Sequence, residues 1–168
     1  MQSVKLDKTL HDRDTFDCGV EALNHYLVMM ANQQAGRDNS RTYVITPADQ
    51  PHRIIGYYTL TMASIDLTAL PTAIQKKHCQ ATSAGLITRL AVDKRYAKQG
   101  FGEWLLIDAL HRLLDASNTI GFPFVVVDAK EGVASFYERF GFIAFQDTPN
   151  KLFMTMSDIR HNLSHFLV

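Results

Sequence analysis

Cysteine is scarce in this chain, and so is any long apolar run. Cys18 and Cys79 are the two thiols, too few for a disulfide framework and without metal-ligand spacing, so no metal is expected. They read as buried or incidental; nothing beside Cys79 points to a lowered thiol pKa, which weighs against an acyl-cysteine intermediate. No apolar stretch reaches the ~18–20 residues of a membrane helix, so no membrane partner is expected. The first eight residues lack the apolar segment of a secretory signal, and a cytoplasmic location is expected. An excess of one charge is missing too: 17 basic residues balance 17 acidic ones, which excludes a global field for nucleic acid. Local patches remain open, because Arg37, Arg41, Arg53, Lys76, Lys77, Arg89, Lys94, Arg95 and Lys98 all fall in the first hundred residues. Spacing does not say whether they share a face, and scattered solvated charges are the plain alternative.

What is present is a core-forming composition. With 168 residues and 46% hydrophobic content, one domain over residues 1–168 is expected, without repeats or linkers. Leu23, Tyr26, Leu27 and Met30 recur at helical spacing and predict a helix from about Val20 to Gln34, with Asp17 or Asp14 as its cap. Arg41 to Thr46 and Ile54 to Met62 read as two strands joined by a hairpin loop. A short helix near Thr72–Cys79 precedes a strand from Leu86 to Val92. An amphipathic helix over 102–115 follows, its stripe made of Leu105, Leu106, Ala109, Leu110, Leu113 and Leu114. Phe122–Asp128 reads as a buried strand, Glu131–Phe140 as a short helix ended by Gly141, and Phe142–Phe145 and Leu152–Met156 as closing strands. The tail from Ile159 predicts a last short helix. This order gives an α/β fold with a mixed sheet and helices on both faces. The crossover from strand 86–92 to strand 122–128 should be parallel and right-handed.

Between strand and helix lies Arg95-Tyr-Ala-Lys-Gln-Gly-Phe-Gly102. The first amides of a helix lack intrahelical partners, and the dipole adds positive charge there. Gly100 and Gly102 let a phosphate approach the backbone, while Lys98 and Arg95 carry full charges; a phosphate-bearing ligand is the first inference. Glycines needed only for the dihedrals of a βα turn are the plain alternative. A P-loop fails because Glu103-Trp104 follows the second glycine, and the dinucleotide fingerprint fails because Leu105 stands where a third glycine belongs.

Three segments together resemble the GNAT N-acetyltransferases: Ile87-Thr-Arg-Leu-Ala-Val-Asp93, Lys98-Gln-Gly-Phe-Gly102 and Ala134-Ser-Phe-Tyr-Glu-Arg-Phe-Gly-Phe142. Phe16-Asp-Cys-Gly19, Leu23-Asn-His-Tyr26, Arg41-Thr-Tyr-Val44, Ile55-Gly-Tyr-Tyr-Thr-Leu60, Leu106-Ile-Asp-Ala-Leu110 and Val127-Asp-Ala-Lys130 narrow the resemblance to the toxin-type branch of bacterial toxin–antitoxin modules. It implies the GNAT fold and acetyl-CoA as co-substrate. The family's turn is usually Gln/Arg-x-x-Gly-x-Gly/Ala, and Ala97 departs from it at the first position. By carry-over, the acyl-CoA site comprises backbone of Leu90 and Val92, the turn Lys98, Gln99, Gly100, Phe101, Gly102 and Glu103, and Ser135 and Tyr137.

The same resemblance makes Tyr137 the general acid that returns a proton to the departing thiolate; core packing with Phe136, Phe140 and Phe142 is the alternative. An oxyanion donor is expected from a backbone amide near Leu90–Val92. No base is assigned: Asp93, His78 and Glu131 are candidates whose plainer reading is a solvated surface role. Arg89 pairs with an acidic neighbour or faces the substrate. Toxin-type relatives acetylate the α-amine of aminoacyl-tRNA and so block translation, which implies a charged-tRNA substrate held by Arg37, Arg41, Lys76, Lys77, Arg89, Lys94 and Arg95. They pair with a ribbon-helix-helix antitoxin, through which alone operator DNA and repression enter; Tyr57-Tyr58, the helix at 20–34 and Phe166–Val168 are candidate docking surfaces. Homodimers occur among such relatives. A GNAT acting on a small amine or protein amine, and a non-catalytic acyl-CoA-binding co-repressor, are the alternatives.

Overall fold

The computed structural model describes residues 1–81 and 83–166. In chain order its elements are β1 (Val4–Lys5), α1 (Glu21–His25), a π-helical turn (Tyr26–Met30), α2 (Ala31–Gly36), β2 (Arg41–Ile45) and β3 (Gly56–Ser64). Next come α3 (Thr72–Lys77), β4 (Ser83–Val92), a 3-10 turn (Lys94–Tyr96), α4 (Phe101–Thr119) and β5 (Phe124–Asp128). The chain closes with α5 (Ala134–Glu138), β6 (Ile143–Ala144), β7 (Lys151–Thr155) and α6 (Met156–Phe166). The strands form one mixed sheet in the order β1-β2-β3-β4-β5-β7-β6, and the chain divides into two compact units.

The first unit takes Met1–Thr61 and Thr88–Ala109. Its hairpin pairs β2 with β3 antiparallel, Ile45 opposite Gly56 and Arg41 opposite Leu60. Phe16, Tyr26, Leu27, Val44, Ile54, Tyr57 and Ala91 make its core. Tyr57 and Tyr58 are fully buried, which removes that strand from the candidate docking surfaces. Asp108 on α4 accepts hydrogen bonds from the Tyr58 hydroxyl and from Ser3, tying the first turns of α4 to β3. Two expectations need correction here, and one strand was not expected. The helix predicted over 20–34 is interrupted by the π turn, where Tyr26 and Leu27 are buried as their spacing predicts but Met30 is exposed and Ala31 takes its place in the core. Val20, not an aspartate, stands at its N-cap without a side-chain hydrogen bond. Asp17 instead accepts from Gly19 N and Asn24 Nδ2, both at 2.9 Å. The two-residue strand β1, antiparallel to β2, carries too short a pattern to be foreseen.

The second unit takes Met62–Ile87 and Leu110–Val168. Here β4 runs parallel to β5, Gly85 to Ile87 opposite Val125 to Val127, as expected of the crossover. β5 pairs antiparallel with β7, and β7 with β6. Leu70, Ala84, Phe124, Val126, Phe145 and Phe153 form its core. Phe122 and Pro123 lie outside β5, α5 is shorter than predicted, and α6 starts three residues earlier. Gly141, at φ 99°, supplies the left-handed residue that ends the α5 segment. Phe166–Val168, the third candidate docking surface, lies at or beyond the end of the residues whose side chains are described.

Candidate active site

The turn ahead of α4 is the most open stretch of backbone in the first unit. Ala97 N closes the 3-10 turn on Lys94 O at 3.3 Å, and Trp104 N donates to Gly100 O at 3.1 Å. Between them the amides of Lys98, Gln99, Gly100, Phe101 and Gly102 have no hydrogen-bond acceptor among the described residues. Buried amides are almost always paired, but Lys98 to Gly100 are exposed and Phe101 and Gly102 open α4, so these amides can take a ligand. Lys98 at φ 60° and Gly100 at φ 85° flank Gln99 with left-handed backbone, the kind of alternation that turns successive amides toward an anion. Gly100 adopts it without steric cost; Lys98 does not, and a strained residue of this kind is characteristic of ligand-binding loops. Ala97 is exposed and extended, so its departure from the family pattern leaves the chain path intact. Leu90 and Val92, both half-buried, lie on β4 beyond its last pair with β5, Ile87 with Val127.

Immediately upstream is a hub that sequence reasoning missed. Asp93, read as solvated, has 0% of its surface exposed. One carboxylate oxygen accepts from Arg95 N at 2.8 Å and Arg95 Nε at 2.9 Å. The other accepts from Arg95 Nη2 at 2.7 Å and Asp17 N at 3.1 Å. Burial pushes this carboxyl up, but the hydrogen bonds from Arg95 and the backbone amides outweigh it and hold the group below its ordinary value. Arg95 also donates to Thr15 O at 3.2 Å, so its guanidinium is spent inside the protein. Lys94 pairs with Asp17 at 2.6 Å; that lysine, the amide of Gly19 and Asn24 hold Asp17 at about 2. Arg41 pairs with Asp38 at 2.6 Å and donates to two carbonyls. Arg89 pairs with no acidic group among the described residues: its guanidinium lies 3.6 Å from the centroid of the Tyr26 ring and donates to Thr88 Oγ1. A ring sixty-three positions away leaves no trace in the local pattern.

The second unit holds Tyr137 on α5. Its ring packs edge-on against Phe136 and Phe142, centroids 5.1 and 5.7 Å away, so the packing alternative and the chemical one describe the same side chain. Only 7% of the residue is exposed, yet its hydroxyl is not among the fully enclosed polar atoms left without a partner. With no hydrogen bond to a described residue, the oxygen therefore reaches open space at the end of a buried ring. Desolvation pushes its pKa up to about 12. Ser135, two residues earlier, is exposed, as is Glu131. His78 is packed edge-on against Phe124 at 4.9 Å; burial, then Lys77, hold its imidazole below the ordinary value. Lys77, His78, Ser157 and Arg160 line a cleft of about 450 Å³ that contains no carboxylate. Arg37, Lys76, Lys77 and Lys98 make no ion pair among the described residues. No group of three metal-ligating side chains occurs among those residues either.

A strand that runs through an unpaired glycine turn into a helix, within a seven-stranded mixed sheet, defines an acyl-CoA N-acyltransferase. The Acetyltransferase (GNAT) domain family matches residues 16–157, and the chain belongs to that family. It is similar to the probable toxin TacT of Sinorhizobium fredii, with 30% identity over 165 residues, 92% of this chain and 91% of the relative. The tRNA-acetylating toxin of Mycobacterium tuberculosis is 29% identical over 150 residues, 89% of each chain. Among solved structures, AtaT complexed with acetyl-methionyl-tRNAfMet superposes with TM-score 0.85 and 28% identity, over 95% of this chain and 97% of that one. A tyrosine-to-phenylalanine mutant of AtaT bound to the C-terminus of the antitoxin AtaR and acetyl-CoA gives TM-score 0.80 and 26% identity, over 99% and 98%.

Proposed function

We propose that the protein transfers the acetyl group of acetyl-CoA to the α-amine of an aminoacyl-tRNA and thereby arrests translation, as the toxin of a toxin–antitoxin pair acting in the cytoplasm. The observation that carries the acetyl-CoA half is the run of five unpaired amides from Lys98 to Gly102. The toxin relatives carry the tRNA half. In this reading the pyrophosphate lies on those amides and the first turn of α4, with Lys98 adding charge. The pantetheine arm pairs with backbone of Leu90 and Val92 as a strand added to an edge. No helix of the described residues is long and apolar enough to cross a membrane.

In the reaction the amine nitrogen bonds to the thioester carbonyl carbon, the carbon–sulfur bond breaks, and sulfur leaves with a proton from Tyr137. The phenolate regains its proton from the one the amine sheds, through water. A dedicated base is unnecessary, because an α-amine with pKa near ~7.7–8.0 is partly neutral at working pH. Asp93 is excluded as that base by its four internal donors. Phosphates of the tRNA meet Lys76 and Lys77 of the second unit, with the cleft beside Arg160 extending that surface, and Arg37 of the first. Arg41, Lys94 and Arg95 are occupied by Asp38, Asp17 and Asp93. The antitoxin, a ribbon-helix-helix protein, covers the enzyme and is the only route to operator DNA; Met29 and Met30, exposed on the π turn, are the apolar surface left for it on the first helix.

The test is incubation with labelled acetyl-CoA and total charged tRNA. Label should pass to the aminoacyl end, and Tyr137→Phe, folded as judged by circular dichroism, should turn over about 10²-fold or more slowly. Label found only on small amines overturns the substrate; equal turnover by the phenylalanine variant overturns the acid.

A further inference from the structure

We infer that Asp93 is a positioning residue for cofactor binding: its carboxylate sets the path of the turn on which the pyrophosphate of acetyl-CoA lies. This rests on the reading of Lys98–Gly102 as the pyrophosphate site. Over that turn five consecutive amides find no acceptor among the described residues, the last two of them at the start of α4, so the course of Lys98–Gly100 depends on what holds its two ends. The downstream end is α4, seated by Asp108 on Tyr58 and Ser3.

The upstream end is organised around Asp93. Its backbone amide donates to Ile55 O at 2.8 Å, fixing the residue to the strand β3 side. Its backbone carbonyl accepts Tyr96 N at 2.9 Å, closing the 3-10 turn. Its side chain caps that turn through Arg95 N and takes up both the Nε and Nη2 donors of Arg95. The fourth donor, Asp17 N, brings in the loop at 15–17, which Arg95 and Lys94 hold again through Thr15 O and Asp17 O. Four donors on two oxygens fill a carboxylate's acceptor capacity. An ionised group that is fully enclosed and fully used specifies geometry: any tilt of the 94–96 turn breaks a charge-assisted bond to a carboxylate that water does not reach. The segment it fixes ends at Ala97, one residue before the unpaired amides begin. Asp93 touches no reacting atom in this scheme; it acts through the turn.

The test compares two acyl donors, acetyl-CoA and acetyl-pantetheine, which lacks the pyrophosphate and adenosine. With charged tRNA as acceptor, Asp93→Asn should lower kcat/KM for acetyl-CoA at least tenfold, through KM, with kcat within about threefold. Turnover with acetyl-pantetheine should be unchanged. Arg95→Gln removes the same pairing from a half-exposed position, 41% exposed at its side chain, and should shift acetyl-CoA in the same direction if the asparagine variant does not fold. Equal losses with both donors show a merely structural aspartate and overturn the inference, as does a full wild-type preference for acetyl-CoA in both variants. A wild type that uses the two donors equally well overturns the pyrophosphate reading, and the inference falls with it.

Discussion

In the proposed reaction Tyr137 is two things, a packed aromatic ring and a proton donor, and its surroundings decide how it can do the second. Burial lifts its pKa to about 12, so at neutral pH the hydroxyl is always a donor and never a base. Complete transfer to a thiolate, whose acid has a pKa near ~8.5, is uphill by about 5 kcal/mol at 1.36 kcal/mol per unit. Donation is therefore concerted with sulfur departure, when the acceptor is not yet a free thiolate, and proton return from the amine completes it. The same shift makes a stability prediction. A folded-state pKa raised above the unfolded value near 10.0 gives stability fully present below pH 10 and lost as pH climbs from there toward 12. Tyr57, raised further by its own burial, acts in the same sense. Urea unfolding should be flat from pH 7 to 9.5 and weaken above 10, and Tyr137→Phe should remove part of that alkaline loss, at most about 2–3 kcal/mol. An alkaline limb identical in the variant counts against the buried phenol.

Among the elements, β3 and α4 meet at a glycine whose reason is steric. A Cβ on Gly56 would lie 2.7 Å from Leu105 Cδ1 and 2.8 Å from the Ala91 carbonyl oxygen. Leu105 can rotate, but the Ala91 backbone cannot without moving β4 just ahead of the acyl-CoA turn. Gly56→Ala should cost about 1–3 kcal/mol in thermal or urea unfolding, the usual penalty of overpacking; a variant as stable as wild type means that the strands part there easily. This close approach was invisible in sequence, where Gly56 looks like any residue in a β-rich run. What was legible is what repeats or what needs a special dihedral: the stripe of α4, the hairpin of β2 and β3, the Gly100 turn, the Gly141 stop. Tyr137 was legible only through the ordered motif around it, because its aromatic neighbours alone describe a core. Contacts between distant segments were not legible at all. Asp93 becomes buried because Arg95 and the loop at Thr15–Asp17 fold over it, and Arg89 finds Tyr26 rather than an acid. The π turn stayed hidden because one added residue leaves Tyr26 and Leu27 on the same buried face.

The charge of the whole molecule constrains how it can hold an RNA. With 17 basic and 17 acidic residues, attraction to tRNA has to come from cations that no internal acid has claimed. Ion pairing removes Arg41, Lys94 and Arg95 from the candidates, and its seat on the Tyr26 ring removes Arg89, which leaves Arg37, Lys76 and Lys77, with Arg160 beside the cleft. Each phosphate contact with a duplex contributes about 0.9 to the slope of log affinity against log salt, so three or four contacts give a slope near −3. The KM for charged tRNA, measured between about 50 and 200 mM salt, should therefore rise by roughly two orders of magnitude at most. Lys76→Gln with Lys77→Gln should flatten that slope by about 2 and leave the KM for acetyl-CoA in place, because each lysine lost removes about one contact. A wild-type slope of about −8 or steeper requires more than twice the four cations named above. That outcome would assign much of the RNA contact to basic residues outside this set, to those now held in ion pairs, or to a second copy of the protein.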